Sequence, residues 1–253
     1  MKKIALVTGA TAGIGQETAG QLAATGYNVI ITGRRKERLE QQAATIHEQS
    51  GAEVYTLHFD IRNREEVTFA FQSLPEKWRK IDLLVNNAGL AAGLSHIQEG
   101  SIDDWDQMID TNVKGLLYIS RLIMPMMIEN GQGHIINVSS IAGKEVYEKG
   151  NVYCASKHAV EAITKGMRVD MLPYGIRVSS VSPGMVETEF SLVRFKGDNQ
   201  KADGVYEGLN PLTAADIAET IVWVASRPAH VNINDVLIMP TAQANSSNTV
   251  RKG

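Results

Sequence analysis

Apolar residues along the chain follow two alternating rhythms. Short β-branched runs at Lys3–Thr8, Asn28–Thr32, Glu53–Phe59, Ile81–Asn86, His134–Val138, Ile176–Val181 and Asp235–Met239 read as strands. Between them lie longer segments with apolar positions three and four apart, at Gly13–Thr25, Arg35–Gln49, Arg62–Ser73, Asp103–Glu129, Val152–Leu172 and Ala214–Ser226, and these read as helices. Several strands are continuous apolar runs, Ile4-Ala5-Leu6-Val7 among them, as expected where helices cover both faces of a parallel sheet. The pattern predicts an α/β fold: a doubly wound, seven-stranded parallel sheet with helices on both faces. No Pro/Ser-rich linker or repeat divides the chain, so residues 1–253 are read as a single domain. Two stretches break the rhythm. Residues 187–212 carry glycines and charges without a period, which suits a substrate lid or an ordinary surface loop, and residues 245–253 read as a loose polar tail.

Composition narrows the function classes. The chain has 253 residues, with 25 Lys+Arg against 28 Asp+Glu and a net charge of −3, which argues against holding nucleic acid or anionic lipid by bulk electrostatics. The single cysteine, Cys154, excludes an intramolecular disulfide and any cysteine-based zinc site, and suits a reducing cytoplasm. The six histidines show no ligand spacing, so no metal is implied, and Cys154 reads as a small packing residue rather than a nucleophile. The longest apolar stretch, around Leu122 to Ile128, is broken by Pro125 and is too short for a membrane span. The first apolar run stops at Thr8-Gly9, too early for a signal core. A cytoplasmic protein with no membrane partner is expected.

Candidate chemistry clusters at the ends of predicted strands. After the first strand comes Thr8-Gly9-Ala10-Thr11-Ala12-Gly13-Ile14-Gly15, then a helix; glycines there let the backbone approach a pyrophosphate at the helix N-terminus. The spacing is G-x-x-x-G-x-G rather than the commoner G-x-G-x-x-G, so the position carries more weight than the pattern. The second strand ends in Gly33-Arg34-Arg35, where an NAD-binding protein would carry an acid for the ribose hydroxyls, and no carboxylate occurs from Asn28 to Lys36. A guanidinium fork at that point binds a 2′-phosphate, which favours NADP; the same arginines with Lys36 and Arg38 also suit a solvated helix start. Asp60-Ile61 and Asn87-Ala88-Gly89 follow the third and fourth strands, at carboxyl ends where ligands collect in open α/β sheets.

Tyr153 and Lys157 lie four apart in a helical segment and project from one face. Such a pair alone is weak, and a tyrosine on a buried helix is usually core packing. Its context is specific: Ser140 lies thirteen residues before Tyr153 at the end of the fifth strand, and Asn112 sits in Asp110-Thr111-Asn112-Val113-Lys114-Gly115.

Taken with Pro183-Gly184-Met185-Val186-Glu187-Thr188, these pieces resemble the short-chain dehydrogenase/reductase family over essentially the whole chain. The fold implied is a single Rossmann domain. Within the family the chain is most similar to the branch of NADP-dependent 3-hydroxy acid dehydrogenases, which includes L-allo-threonine and serine dehydrogenases and malonic semialdehyde reductases. Leu74–Trp78, Glu189–Asp198 and Pro228–Asn234 carry that likeness. The resemblance implies catalytic roles for Asn112, Ser140, Tyr153 and Lys157. Tyr153 would exchange the proton, Lys157 would lower its pKa and bind the nicotinamide ribose, Ser140 would hold the substrate oxygen, and Asn112 would position a water. It also implies cofactor contacts from Gly9, Thr11, Gly13, Ile14, Gly15, Arg34, Arg35, Asp60, Ile61, Asn87, Ala88, Gly89, Pro183, Gly184, Val186 and Thr188. Thr188 would reach the nicotinamide carboxamide. A phenol near pKa 10 must fall by roughly two to three units to work near neutrality, about 3–4 kcal/mol of phenolate stabilisation.

For the substrate, Arg194 is a candidate clamp on a carboxylate, and Tyr147 and Lys144 are candidates for the pocket wall. Some NADP-preferring relatives carry a basic residue where this chain has Ala12, so phosphate recognition rests on Arg34 and Arg35. The implied activity is reversible NADP-linked interconversion of small 3-hydroxy acids with their 3-oxo acids or semialdehydes, in a homotetramer. A reductase of 3-oxoacyl thioesters or larger ketones is the alternative within the family, and a non-catalytic dinucleotide sensor is the alternative outside it.

Overall fold

The computed structural model describes residues 2–252. Seven strands, β1 (Ile4–Val7), β2 (Asn28–Gly33), β3 (Val54–His58), β4 (Ile81–Asn86), β5 (His134–Val138), β6 (Arg177–Pro183) and β7 (Asp235–Ile238), form one sheet in the order β3-β2-β1-β4-β5-β6-β7. Every pairing is parallel. The helices are α1 (Gly13–Ala24), α2 (Lys36–Ser50), α3 (Arg64–Gln72), α4 (Ile102–Ile109), α5 (Leu116–Glu129), α6 (Asn151–Met171), α7 (Glu189–Arg194), α8 (Asn199–Gly204) and α9 (Ala214–Ala225).

Alternation along β1 divides the core in two. Ile4 and Leu6 point to the face covered by α3, α5 and α6, where Phe71, Ile119, Ile123, Val160 and Met167 pack. Ala5 and Val7 point to the other face, against Ala19 and Leu22 of α1, Leu39 and Ile46 of α2, and Ile217 and Ile221 of α9. With both faces buried, β1 is apolar at every position, which is why its sequence reads as a run rather than an alternation. The strand order reverses at β1, which lies between β2 and β4, so a crevice opens there at the carboxyl ends of the strands.

Two sequence expectations change. The single helix expected over Asp103–Glu129 is two helices, α4 and α5, joined by a π-type segment at Asp110–Gly115. Close packing accompanies the irregularity: a Cβ on Gly115 would come within 2.9 Å of Ile61, and Asn112 turns inward to hydrogen-bond across the domain. The tail is also tied down. Lys252 N–H donates to Gly208 O at 2.8 Å, Ser246 N–H donates to Glu145 at 2.9 Å, and the Arg251 guanidinium donates to the carbonyls of Val205 and Glu207 beyond α8.

Candidate active site

The crevice is a cleft of about 690 Å³ lined from the glycine turn at one end to Tyr147, Phe190 and Arg194 at the other. The glycine turn is locked to the end of β4. Thr8 Oγ1 accepts from the N–H groups of Asn87 and Ala88, both at 3.0 Å, and Asn87 Nδ2 donates to Thr8 O at 2.9 Å and Gly9 O at 3.2 Å. Gly9 and Gly13 have φ of +66° and +54°, the left-handed region that glycine enters without strain. A Cβ on Gly15 would lie 2.3 Å from Asn87 Nδ2, so Gly15 makes room for that lock from behind rather than lining the cleft. Ala12 stands at the N-cap of α1 and supplies no capping side chain. The first N–H groups of this 12-residue helix therefore face the cleft without side-chain partners, which fits a diphosphate group by hydrogen bonding and by the helix dipole.

Arg34 and Arg35 stand where the sequence places them, at the end of β2. Arg34 Nη1 lies 3.9 Å from Asp60. Arg35 donates from Nε and Nη2 to Thr11 Oγ1, at 3.2 and 2.8 Å, which fixes its plane beside the turn. Its Nη1 donates to Glu189 at 2.9 Å, and Arg38 Nη1 donates to the same carboxylate at 2.8 Å. The sequence reading did not single out Glu189, and it weighed Arg38 only as part of a solvated helix start.

The candidate catalytic groups lie deeper. Ser140 lies two residues beyond β5, and its Oγ accepts from Ala142 N–H at 3.1 Å while its own proton reaches Pro183 O only at 3.5 Å. Tyr153 and Lys157 lie one turn apart on α6, whose 21 residues span the domain. The Lys157 ammonium donates to Val138 O at 3.0 Å. Burial pushes the pKa of Lys157 down to about 8, with the Glu161 carboxylate one turn further on opposing that fall. Burial raises the Tyr153 phenol well above its ordinary value, and Tyr147 adds to the rise. Phe190 of α7 meets the Tyr153 ring edge-on at 5.6 Å.

Arg194, at the end of α7, lies 5.5 Å from the Tyr147 ring and 5.6 Å from the Tyr153 ring. It donates from Nη2 to the Tyr147 hydroxyl at 2.9 Å and from Nε to Gly93 O at 3.2 Å. Both protons of Nη1 and one of Nη2 have no partner among the described residues, so one bidentate edge of the guanidinium is free beside the Tyr153 ring.

Two candidates sit differently from their sequence placement. Asn112 does not line the cleft. Its Oδ1 accepts from Leu90 N–H at 2.8 Å, and its Nδ2 donates to Leu90 O at 2.8 Å and Ser156 Oγ at 3.0 Å, so the side chain fixes the loop after β4. It still backs onto the site, because a Cβ on Gly89 would lie 3.1 Å from Asn112 Oδ1 and 3.4 Å from Lys157 Nζ. Lys144 is not a wall of the pocket. Its ammonium is drawn to Glu161, at 2.7 Å, and to Asp235, on the far side of β6 from the cleft. Thr11, Gly13, Ile14, Asp60, Ile61, Asn87, Ala88, Gly89, Pro183, Gly184, Val186, Thr188 and Tyr147 all line the cleft. Among residues that reading missed, Phe190 and Gln243 also contribute, Gln243 Oε1 accepting from Met185 N–H at 2.8 Å. Among the described residues no helix is long and apolar enough to cross a membrane.

Comparison with known proteins agrees with this geometry. Residues 3–198 match the family model for short chain dehydrogenases. The NADP-dependent 3-hydroxy acid dehydrogenase YdfG of Salmonella typhi is 48% identical over 242 residues, covering 95% of this chain and 96% of that protein. Serine 3-dehydrogenase of Agrobacterium fabrum is 45% identical over 239 residues, covering 94% of each. Among solved structures, the closed form of a serine dehydrogenase complexed with NADP+ superposes with a TM-score of 0.92 at 44% identity, covering 99% of this chain and 100% of that one. From its strand order, its glycine turn and these matches, the chain belongs to the short chain dehydrogenase family.

Proposed function

We propose that the protein is an NADP-linked oxidoreductase that interconverts small 3-hydroxy acids, of the serine, L-allo-threonine or 3-hydroxypropionate type, with their 3-oxo acids or semialdehydes. The observation that carries the reading is the free edge of Arg194 beside the Tyr153 ring, in a cleft whose opposite end presents an uncapped helix and an arginine pair. A carboxylate bound at Arg194 would leave the C3 hydroxyl, one methylene or methine further along, to meet the phenol. Names of relatives point the same way: YdfG of Salmonella typhi is an NADP-dependent 3-hydroxy acid dehydrogenase, and a similar solved structure is a serine dehydrogenase with NADP+.

The residues fit NADP: the uncapped start of α1 suits the diphosphate, Arg34 and Arg35 suit the 2′-phosphate, and Lys157 and Thr188 suit the nicotinamide end. A bound NADP would supply the hydride acceptor for the carbinol carbon, or the hydride donor for the carbonyl. Tyr153 takes the hydroxyl proton in oxidation and gives it back in reduction. The burial that raises its pKa must then be outweighed; the Ser140 hydroxyl and the Arg194 charge already act in that direction, and the family resemblance gives the same task to Lys157 one turn away. Ser140, whose contact to Pro183 O is long and whose other neighbour is the Tyr153 phenol itself, can turn its proton to the substrate oxygen as negative charge builds there. Asn112 holds Leu90 and the loop behind Gly89, and from there would position a water of the proton relay. Residues 187–212, with α7 and α8, serve as the lid of a single catalytic domain.

Exposed apolar side chains, Leu117 on α5, Val169 on α6 and Leu172 just beyond it, support assembly into a homotetramer, and sedimentation giving a monomer would contradict that. The single, buried, unpaired Cys154 supports a cytoplasmic setting. The activity is tested by following reduction of NADP+ and NAD+ with L-serine, L-allo-threonine and 3-hydroxypropionate, and oxidation of NADPH with an acetoacetyl thioester. NADP-linked turnover of at least one hydroxy acid is expected. Turnover of the thioester alone would make the protein a reductase of other carbonyls, and cofactor binding without turnover would make it a sensor.

A further inference from the structure

Glu189 is the first residue of α7, on the lid, yet its carboxylate reaches across the cleft to the basic cluster at the end of β2. Both oxygens are used. Oε2 accepts from Arg35 Nη1 at 2.9 Å and from Arg38 Nη1 at 3.1 Å, while Oε1 accepts from Arg38 Nη1 at 2.8 Å. Arg35 is not free to turn away, because Thr11 Oγ1 holds its Nε and Nη2. Thr11 in turn lies against Gly33, where a Cβ would come within 2.7 Å of its methyl group. The edge of Arg35 left for an anion is therefore the edge that Glu189 occupies.

A carboxylate and a phosphomonoester compete for such an edge, since both accept parallel N–H donors from a guanidinium. We propose that Glu189 is an internal stand-in for the 2′-phosphate: it holds Arg35 and Arg38 when that phosphate is absent and must yield Arg35 when NADP binds, so it lowers affinity for NADP more than for NAD. This rests on the NADP reading above. The device also links the two ends of the cleft. Glu189 is followed at once by Phe190, which meets Tyr153, and α7 ends in Arg194, so the anion that displaces Glu189 releases the N-terminal end of the helix that carries the substrate-side contacts. The three side chains remain 42 to 48% exposed, so the pair is within reach of a competing anion and its strength is modest.

The test is calorimetric titration of wild type, Glu189→Gln and Glu189→Ala with NADP+, NAD+ and the probes adenosine 2′-monophosphate and adenosine. The quantity read is the ratio of the NAD+ to the NADP+ dissociation constant. Both variants are expected to raise that ratio by about three- to tenfold, through tighter NADP+ binding, in keeping with one or two exposed ion pairs lost. Adenosine 2′-monophosphate should tighten in parallel, with adenosine unmoved. An unchanged ratio overturns the proposal. A fallen ratio also overturns it and makes Glu189 an orienting partner of Arg35 instead. Wild type that fails to prefer NADP+ over NAD+ refutes the cofactor reading itself, a result visible before any variant is measured.

Discussion

The two walls of the cleft are built in opposite ways. On the scaffold wall, Ser140, Tyr153 and Lys157 are 9, 8 and 6% exposed, and they stand on a strand end and on a 21-residue helix packed into the core. On the wall proposed as the lid, α7 and α8 are six residues each, and the start of α7 is joined to the scaffold by the exposed pairs of Glu189 with Arg35 and Arg38. Exposed pairs of this kind are worth little individually, about 0–1 kcal/mol. The contrast separates two demands: proton transfer needs groups fixed to a fraction of an ångström, while selection among cofactors and acids needs contacts that give way and re-form.

Disabling the scaffold wall should have the largest effect. Tyr153→Phe removes the exchangeable proton and should lower turnover by about 10³-fold while the far-ultraviolet circular dichroism stays unchanged. A loss of less than about tenfold would move the proton to another group.

The scaffold also carries the pH dependence of stability. His134, at the start of β5, is buried with Nε2 on Ser179 Oγ at 2.8 Å, and burial pushes its pKa down to about 3, with Arg177 adding to the fall. The unfolded chain, with an ordinary imidazole, takes up the proton that the fold refuses. The stability due to this group is therefore complete above about pH 6.5 and is lost as pH falls toward 3. Denaturant unfolding at about pH 4.5 should show roughly 2–3 kcal/mol less stability than at neutrality from this group, and His134→Asn should flatten that slope.

Legibility in the sequence follows the same division. The central strands are readable because a sheet covered on both faces forces apolar runs, the edge strands β3 and β7 because of their β-branched residues between turn signals, and observed bounds differ from the readings by a residue or two. Tyr153, Lys157 and Ser140 are readable because they sit at fixed offsets on regular elements. The π-type segment at Asp110–Gly115 is not readable, since an extra residue in one turn leaves the apolar spacing on either side intact and its partners, Leu90, Ser156 and Ile61, are remote in sequence. The lid helices are too short to show a period. The Glu189 pairing joins residues more than 150 positions apart, beyond any local pattern. Lys144 was misplaced because nearness in sequence to Ser140 and Tyr153 says nothing about facing, and the buried Glu161 draws it away.

On the cofactor side, the Arg34→Asp, Arg35→Ala double variant should shift the ratio of kcat/KM for NADP+ over NAD+ by at least about tenfold toward NAD+, near 1.4 kcal/mol. Retained NADP+ preference would place phosphate recognition elsewhere.

The division of labour between the walls is tested most directly by steady-state kinetics of Arg194→Leu beside wild type and Tyr153→Phe, with a hydroxy acid and with a neutral alcohol of the same length. The account predicts that Arg194→Leu raises KM for the acid by about tenfold, leaves KM for the alcohol unmoved, and keeps kcat at saturating acid within about threefold of wild type. A kcat that falls as far as in Tyr153→Phe, or a KM for the acid that does not move, would contradict it.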